Sequence, residues 1–88
     1  MNKRNNPFGR HSLTDLEVRI ISQFVQGRTR VIAADMLGTS KSSLDNHLRL
    51  MFAMLGVHSM VELVVMALSN GFDTDGRYTP RTGSGPEN

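Results

Sequence analysis

Apolar residues recur at helical spacing in four runs along this chain, each opened by a hydroxyl-bearing residue and closed by glycine. In the first, Leu16, Ile20, Ile21, Phe24 and Val25 follow Thr14-Asp-Leu-Glu17, a capping box in which threonine and glutamate satisfy each other's backbone donors. Gly27 stops that run, so the pattern predicts a helix over 15–26. Thr29 can cap a short second helix through Val31, Ile32, Ala33, Ala34, Met36 and Leu37, which Gly38 closes. Ser40 then caps a third, over about 41–54, whose stripe Leu44, Leu48, Met51 and Leu55 steps by four, three and four before Gly56. Ser59-Met-Val-Glu62 reads as another capping box, opening a fourth helix that runs to Asn70 with Gly71 as its stop. Strand signals are absent, and the predicted class is all-α.

The ends of the chain read differently. Residues 1–12 carry no long apolar run and hold Lys3, Arg4 and Arg10 with no acid, a basic flexible arm. Residues 73–88, DTDGRYTPRTGSGPEN, combine Gly, Pro, Ser and Thr with one aromatic, which predicts a disordered C-terminal tail. The expected domain is therefore 13–72, flanked by two tails. At 88 residues there is room for one small domain and not for a two-domain enzyme. A core this small is marginal, and with no cysteine the chain cannot supplement it by disulfides, which leaves oligomerisation. Neither a secretory signal nor a membrane span is legible, so the expected setting is cytoplasmic, with no membrane partner.

Charge sharpens the division. The net +2 is made of +3 on the arm, zero on 13–72 and −1 on the tail. The predicted domain is neutral, and its basicity sits beside it.

Two short helices joined by the tight turn Leu37-Gly38-Thr39-Ser40 have the shape of a helix-turn-helix. The wider set Leu13-Thr14, Glu17, Ile20-Ile21, Gly27, Thr29, Ala34, Leu37, Ser40, Ser43-Leu44, His47, Leu55-Gly56-Val57, Ser59, Ala67 and Gly71 resembles the LuxR-type (GerE-like) helix-turn-helix domain of bacterial transcription regulators. The resemblance is ungapped over about 60 residues. It implies a four-helix domain in which the second and third helices read DNA and the fourth makes a dimer contact. Departures from the family pattern are specific. Where the family carries Ser-Asn-Lys-Glu-Ile-Ala, this chain has Arg30-Val31-Ile32-Ala33 over the Asn-Lys-Glu-Ile stretch. The family's recognition-helix lysine corresponds to Asp45, and the lysine before Leu-Gly-Val to Met54. Three polar positions have become apolar and one has reversed sign.

Opposite its apolar stripe, the third helix shows Lys41, Ser42, Asp45, Asn46 and Arg49. In a major groove Asn46 suits adenine N6/N7, Arg49 guanine O6/N7, Asp45 cytosine N4, and Ser42 is permissive. A solvated helix face is the plainer alternative. Candidate phosphate contacts are Arg28, Arg30, Lys41 and Arg49, with backbone donors and the Thr29 and Ser40 hydroxyls at the two helix starts. Four such cations per subunit predict a salt slope of about −3.6.

From Met60 to Leu68 the only polar residue is Glu62. One apolar stripe closes a small core, so Met60, Val61, Val64, Val65 and Leu68 are the expected dimer surface, unless the fourth helix is buried on several sides by its neighbours. A two-fold pair through this helix predicts reading helices about 34 Å apart and a palindromic site.

Enzymatic readings find no support. His11, His47 and His58 lack metal-ligand spacing, and no glycine-rich loop follows a strand, so neither a metal nor a cofactor is expected. Two readings remain. One is a stand-alone DNA-binding transcription regulator, a homodimer on double-stranded DNA, nucleoid-associated when bound and controlled by abundance, a partner or modification. The other is an interaction protein, an antiactivator or co-regulator, that pairs with a larger regulator and binds DNA weakly or not at all.

Overall fold

A computed structural model describes residues 13–79. The basic arm expected at 1–12 lies outside the described residues, as do residues 80–88. Four helices follow one another: α1 (Asp15–Val25), α2 (Arg30–Leu37), α3 (Lys41–Leu55) and α4 (Met60–Ser69). Each begins where a hydroxyl accepts a backbone N–H that the helix itself cannot satisfy. Thr14 Oγ1 accepts from Glu17 N, Thr29 Oγ1 from Ile32 N, Ser40 Oγ from Ser43 N and Ser59 Oγ from Glu62 N.

The two expected capping boxes part company here. At α1 the box closes, because Glu17 Oε1 accepts from Thr14 N at 2.9 Å. At α4 the glutamate reaches one residue further back, and Glu62 Oε1 accepts from His58 N at 2.9 Å instead. Ser59 still caps the helix, so the start is unchanged and only the second bond of the box differs.

One core joins all four helices. Ile20, Ile21, Phe24 and Val25 come from α1, Ala33 and Ala34 from α2, and Leu44, Leu48, Met51 and Leu55 from α3. Leu63 and Ala67 of α4 complete it with Val57 and Phe72. Among these, Ile20, Ile21, Leu44, Leu48 and Leu63 are the largest fully buried side chains. Burying one such side chain is worth about 1.5–3 kcal/mol, so the inner stripe of α3 is what chiefly holds that helix to the core. α2 packs on both α1 and α3, and α4 packs on α1.

The turn between α2 and α3 is fixed by Gly38, whose φ of 73° is a left-handed conformation that a side chain would strain. Its N–H donates to Asp35 O, and Thr39 N donates to Ala34 O, which together end α2 within one residue.

Residue 73 is not where order ends. The expected disordered tail of 73–88 is corrected over its first seven residues, which fold back on the helices. Thr79 N donates to Gly71 O at 2.8 Å and Asp73 N to Arg77 O at 2.9 Å, flanking an antiparallel bridge between Phe72 and Tyr78. Both rings of that pair lie on one side, stacked with centroids 4.5 Å apart, as cross-strand neighbours do at a non-hydrogen-bonded position. Asp73 Oδ1 accepts from Asp75 N and Arg77 N and shapes the turn between them. Gly76 sits so close to α1 that a Cβ there would collide with Ser22 Oγ and Gln26 Nε2. Composition alone hid this hairpin. Asp75-Gly76 between two aromatics is the local signal that carries it.

Candidate nucleic-acid interface

The α2–turn–α3 pair gathers most of the residues that the sequence offers for DNA. Ser40 stands at the junction as the cap of α3, and the first turns of that helix display Lys41, Ser42 and Asn46 to solvent, with Arg49 one turn further on. These lie opposite Leu44, Leu48, Met51 and Leu55, all buried. The separation follows from the helical repeat: one side of α3 is spent on the core and the other is available.

The outward residues are engaged with one another. Asp45 Oδ1 accepts from Arg30 Nη1 at 3.1 Å, and Asp45 Oδ2 accepts from Lys41 Nζ at 3.0 Å. Arg30 opens α2 and Lys41 opens α3, so a single carboxylate ties the starts of both helices together. The Lys41 hydrogen bond and charge, with a smaller share from Arg30, hold the Asp45 carboxyl below its ordinary value. A carboxylate so lowered stabilises the fold at neutral pH, and that contribution disappears as pH falls through its depressed value. Further along α3, Arg49 Nη2 donates to Asn46 Oδ1 at 3.4 Å, a long contact between two exposed side chains.

Thr29 and Ser40 use their oxygens to cap α2 and α3, which leaves each hydroxyl proton free to donate outward. Arg28 lies half-buried at the α1–α2 corner, beside Thr29. Of the nine candidates, Arg30, Lys41 and Asp45 thus form one cluster and Asn46 and Arg49 a second, and Ser40 caps α3 at the turn. Ser42 lies exposed on the same helix, while Arg28 and Thr29 occupy the neighbouring corner.

The apolar departures lie at the surface. Val31 is 63% exposed, and Ile32, Met36 and Met54 are exposed with it. Only Ala33 and Ala34 of α2 are buried, with Leu37 packed against the core, so Val31, Ile32 and Met36, half of the apolar residues read into that helix, do not serve the core. Leu16, read as part of the apolar face of α1, is exposed as well. With Leu50 and Met54 of α3 it lines a shallow groove of about 170 Å³ that also takes in Thr14, Glu17 and His47. Those polar groups do not form a catalytic constellation, and no three metal-ligating side chains converge anywhere among the described residues.

α4 turns two faces to different surroundings. Leu63 and Ala67 are fully buried against the core. Val61, Val65 and Leu68, at i, i+4 and i+7, are 72%, 59% and 41% exposed. Met60 and Val64, expected alongside them as dimer contacts, are partly buried and pack against the chain's own core. Burial of α4 on several sides, the alternative to a free apolar face, is not what the structure has. Among the described residues no single helix is long and apolar enough to cross a membrane.

The family model described as bacterial regulatory proteins, luxR family (GerE), matches residues 11–67. No curated protein and no solved structure gives a significant match to the chain.

Proposed function

Because the chain belongs to the LuxR family of bacterial regulatory proteins, whose domains are DNA-binding transcription regulators rather than enzymes, we propose that it reads double-stranded DNA through the outer face of α3, as a homodimer joined through α4. The observation that supports this reading is the division of α3 into a buried stripe and an exposed face bearing Ser42, Asn46 and Arg49. These side chains suit base edges, while Arg28, Thr29, Arg30, Ser40 and Lys41 surround them with donors for phosphate. The exposed Val61, Val65 and Leu68 support the dimer, since an apolar stripe of three residues on a small domain is stabilised by meeting another like it. Two-fold pairing would match a palindromic site with half-sites one helical turn apart. Such a regulator would work in the cytoplasm, on the nucleoid when bound.

A fluorescence anisotropy titration on genomic duplex fragments, at low and at moderate salt, tests the reading. Sequence-preferring binding is expected, and Asn46→Ala or Arg49→Ala should each weaken it by about 1–3 kcal/mol. Absence of binding at low salt, together with a tight complex with a larger regulator, would overturn it.

That second outcome corresponds to the other reading, an interaction protein that modulates a larger regulator. Exposed Val31, Ile32 and Met36 on α2 favour it, because they enlarge the apolar surface where the family carries polar residues.

A further inference from the structure

Asp45 stands where a basic face would ordinarily attract phosphate, and both of its oxygens are taken. Arg30 and Lys41, the cations it holds, are two of the four candidate phosphate contacts, the others being Arg28 at the α1–α2 corner and Arg49 further along α3. A guanidinium and an ammonium gripping two oxygens of one anion is also the arrangement in which a backbone phosphate is bound. The carboxylate thus resembles, in charge sign and in oxygen placement, the group that those cations would otherwise meet.

We propose that Asp45 is a built-in competitor for the DNA backbone: it occupies Arg30 and Lys41 in place of a phosphate, so that those two cations reach DNA only by exchanging one anion for another. The proposal deepens the DNA-binding reading and rests on it. The competitor is placed by the fold. Lys41 lies one turn before Asp45 on the same side of α3, and Arg30 is brought within 3.1 Å across the turn from fifteen residues away. The three side chains are 33–53% exposed, so exchange requires no opening of the core. Sequence-independent affinity follows the number of cations that release counterions, and here two of the four candidates are held by Asp45. Ser42, Asn46 and Arg49 keep their outward placement, so the competitor lowers binding to any duplex while leaving the base-reading groups in position. Its effect is a lower affinity at every sequence with the preference among sequences unchanged.

The test uses Asp45→Asn, which keeps the shape and removes the charge, and Asp45→Ser, which cannot span both cations. Each full chain is titrated by anisotropy against a mixed-sequence duplex over a series of salt concentrations, with thermal melts to establish that it is folded. The slope of log affinity against log salt should steepen by up to about 1.8 per subunit, at about 0.9 for each freed cation. Lowering salt fourfold should then raise the variants' affinity about tenfold more than that of the unmodified protein. Lys41→Gln should weaken binding in the Asp45→Asn background far more than in the unmodified one. If the unmodified protein binds and both Asp45 variants bind with the same slope, or less tightly, the competitor is overturned and the DNA-binding reading stands. If none binds any duplex at low salt, that reading fails and takes the competitor with it.

Discussion

The outer faces of α3 and α4 are built from opposite materials and stand in opposite relations to water. On α3 the exposed face from Lys41 to Arg49 is polar, with Leu50 and Met54 exposed beyond it, and Lys41, Asp45, Asn46 and Arg49 are already hydrogen-bonded to protein partners. On α4 the exposed residues include the apolar stripe Val61, Val65 and Leu68, and Glu62 is the one charged side chain of that helix. A polar face can rest in solvent at little cost, whereas exposed apolar area costs about 25 cal/mol per Å². Under the proposed function, the pressure to associate sits on α4 and the base-reading groups sit on α3. One helix has a reason to find a partner and the other has the means to choose among ligands.

Substitutions on α4 can break this contrast within a single helix. Leu63→Ala, on the buried side, should destabilise the fold by about 2–5 kcal/mol, since it removes a fully buried side chain and leaves a cavity. Thermal or urea unfolding measures that loss. A smaller change tests whether the stable unit extends past the helices: Tyr78→Ala should cost about 0.5–1.5 kcal/mol from the lost ring stacking with Phe72, beyond the area it buries. An unchanged melting temperature would mean that the hairpin is decoration. The smallest expected effect on the fold is that of Val65→Glu, within about 0.5 kcal/mol of the unmodified protein because the position faces solvent. Sedimentation should nevertheless show it monomeric at concentrations where the unmodified chain pairs. Should the unmodified chain already be monomeric at high concentration, the outer face of α4 has another purpose.

What could be read beforehand, and what could not, divides along the same physical line. All four helix starts were legible because Thr14, Thr29, Ser40 and Ser59 cap within three residues of themselves, a local bond that the sequence displays directly. The buried stripe of α3 was legible because period and burial coincide over 15 residues. In α2, with eight residues, nearly every position is apolar and periodicity cannot tell the two alanines that enter the core from the valine, isoleucine and methionine that do not. Small size gave the alanines close approach to α1 and α3. Asp45 was visible as a reversed charge, but its two cations were not visible as its partners. One lies fifteen residues away, and its approach depends on the turn at Gly38. The order of residues 73–79 is hidden in the sequence for a related reason: Phe72 and Tyr78 stack on each other and pack against the core, and Gly76 lies against Ser22 and Gln26, which composition over a window does not register.

The hairpin also has a consequence for any cut or fusion at the end of the family match. The family match stops at residue 67, yet the carbonyl of Ala67 accepts from Phe72 N, and Phe72 is itself part of the core. A fusion or cleavage seam placed at 67 would strip the last turn of α4 of a bond, uncover the pocket that Phe72 fills and remove Leu68 from the apolar stripe. Placed after Thr79, the seam follows the last hydrogen bond of the bridge and leaves every one of those groups in place. The stretch that these contacts hold together runs further along the chain than the stretch that the family model matches.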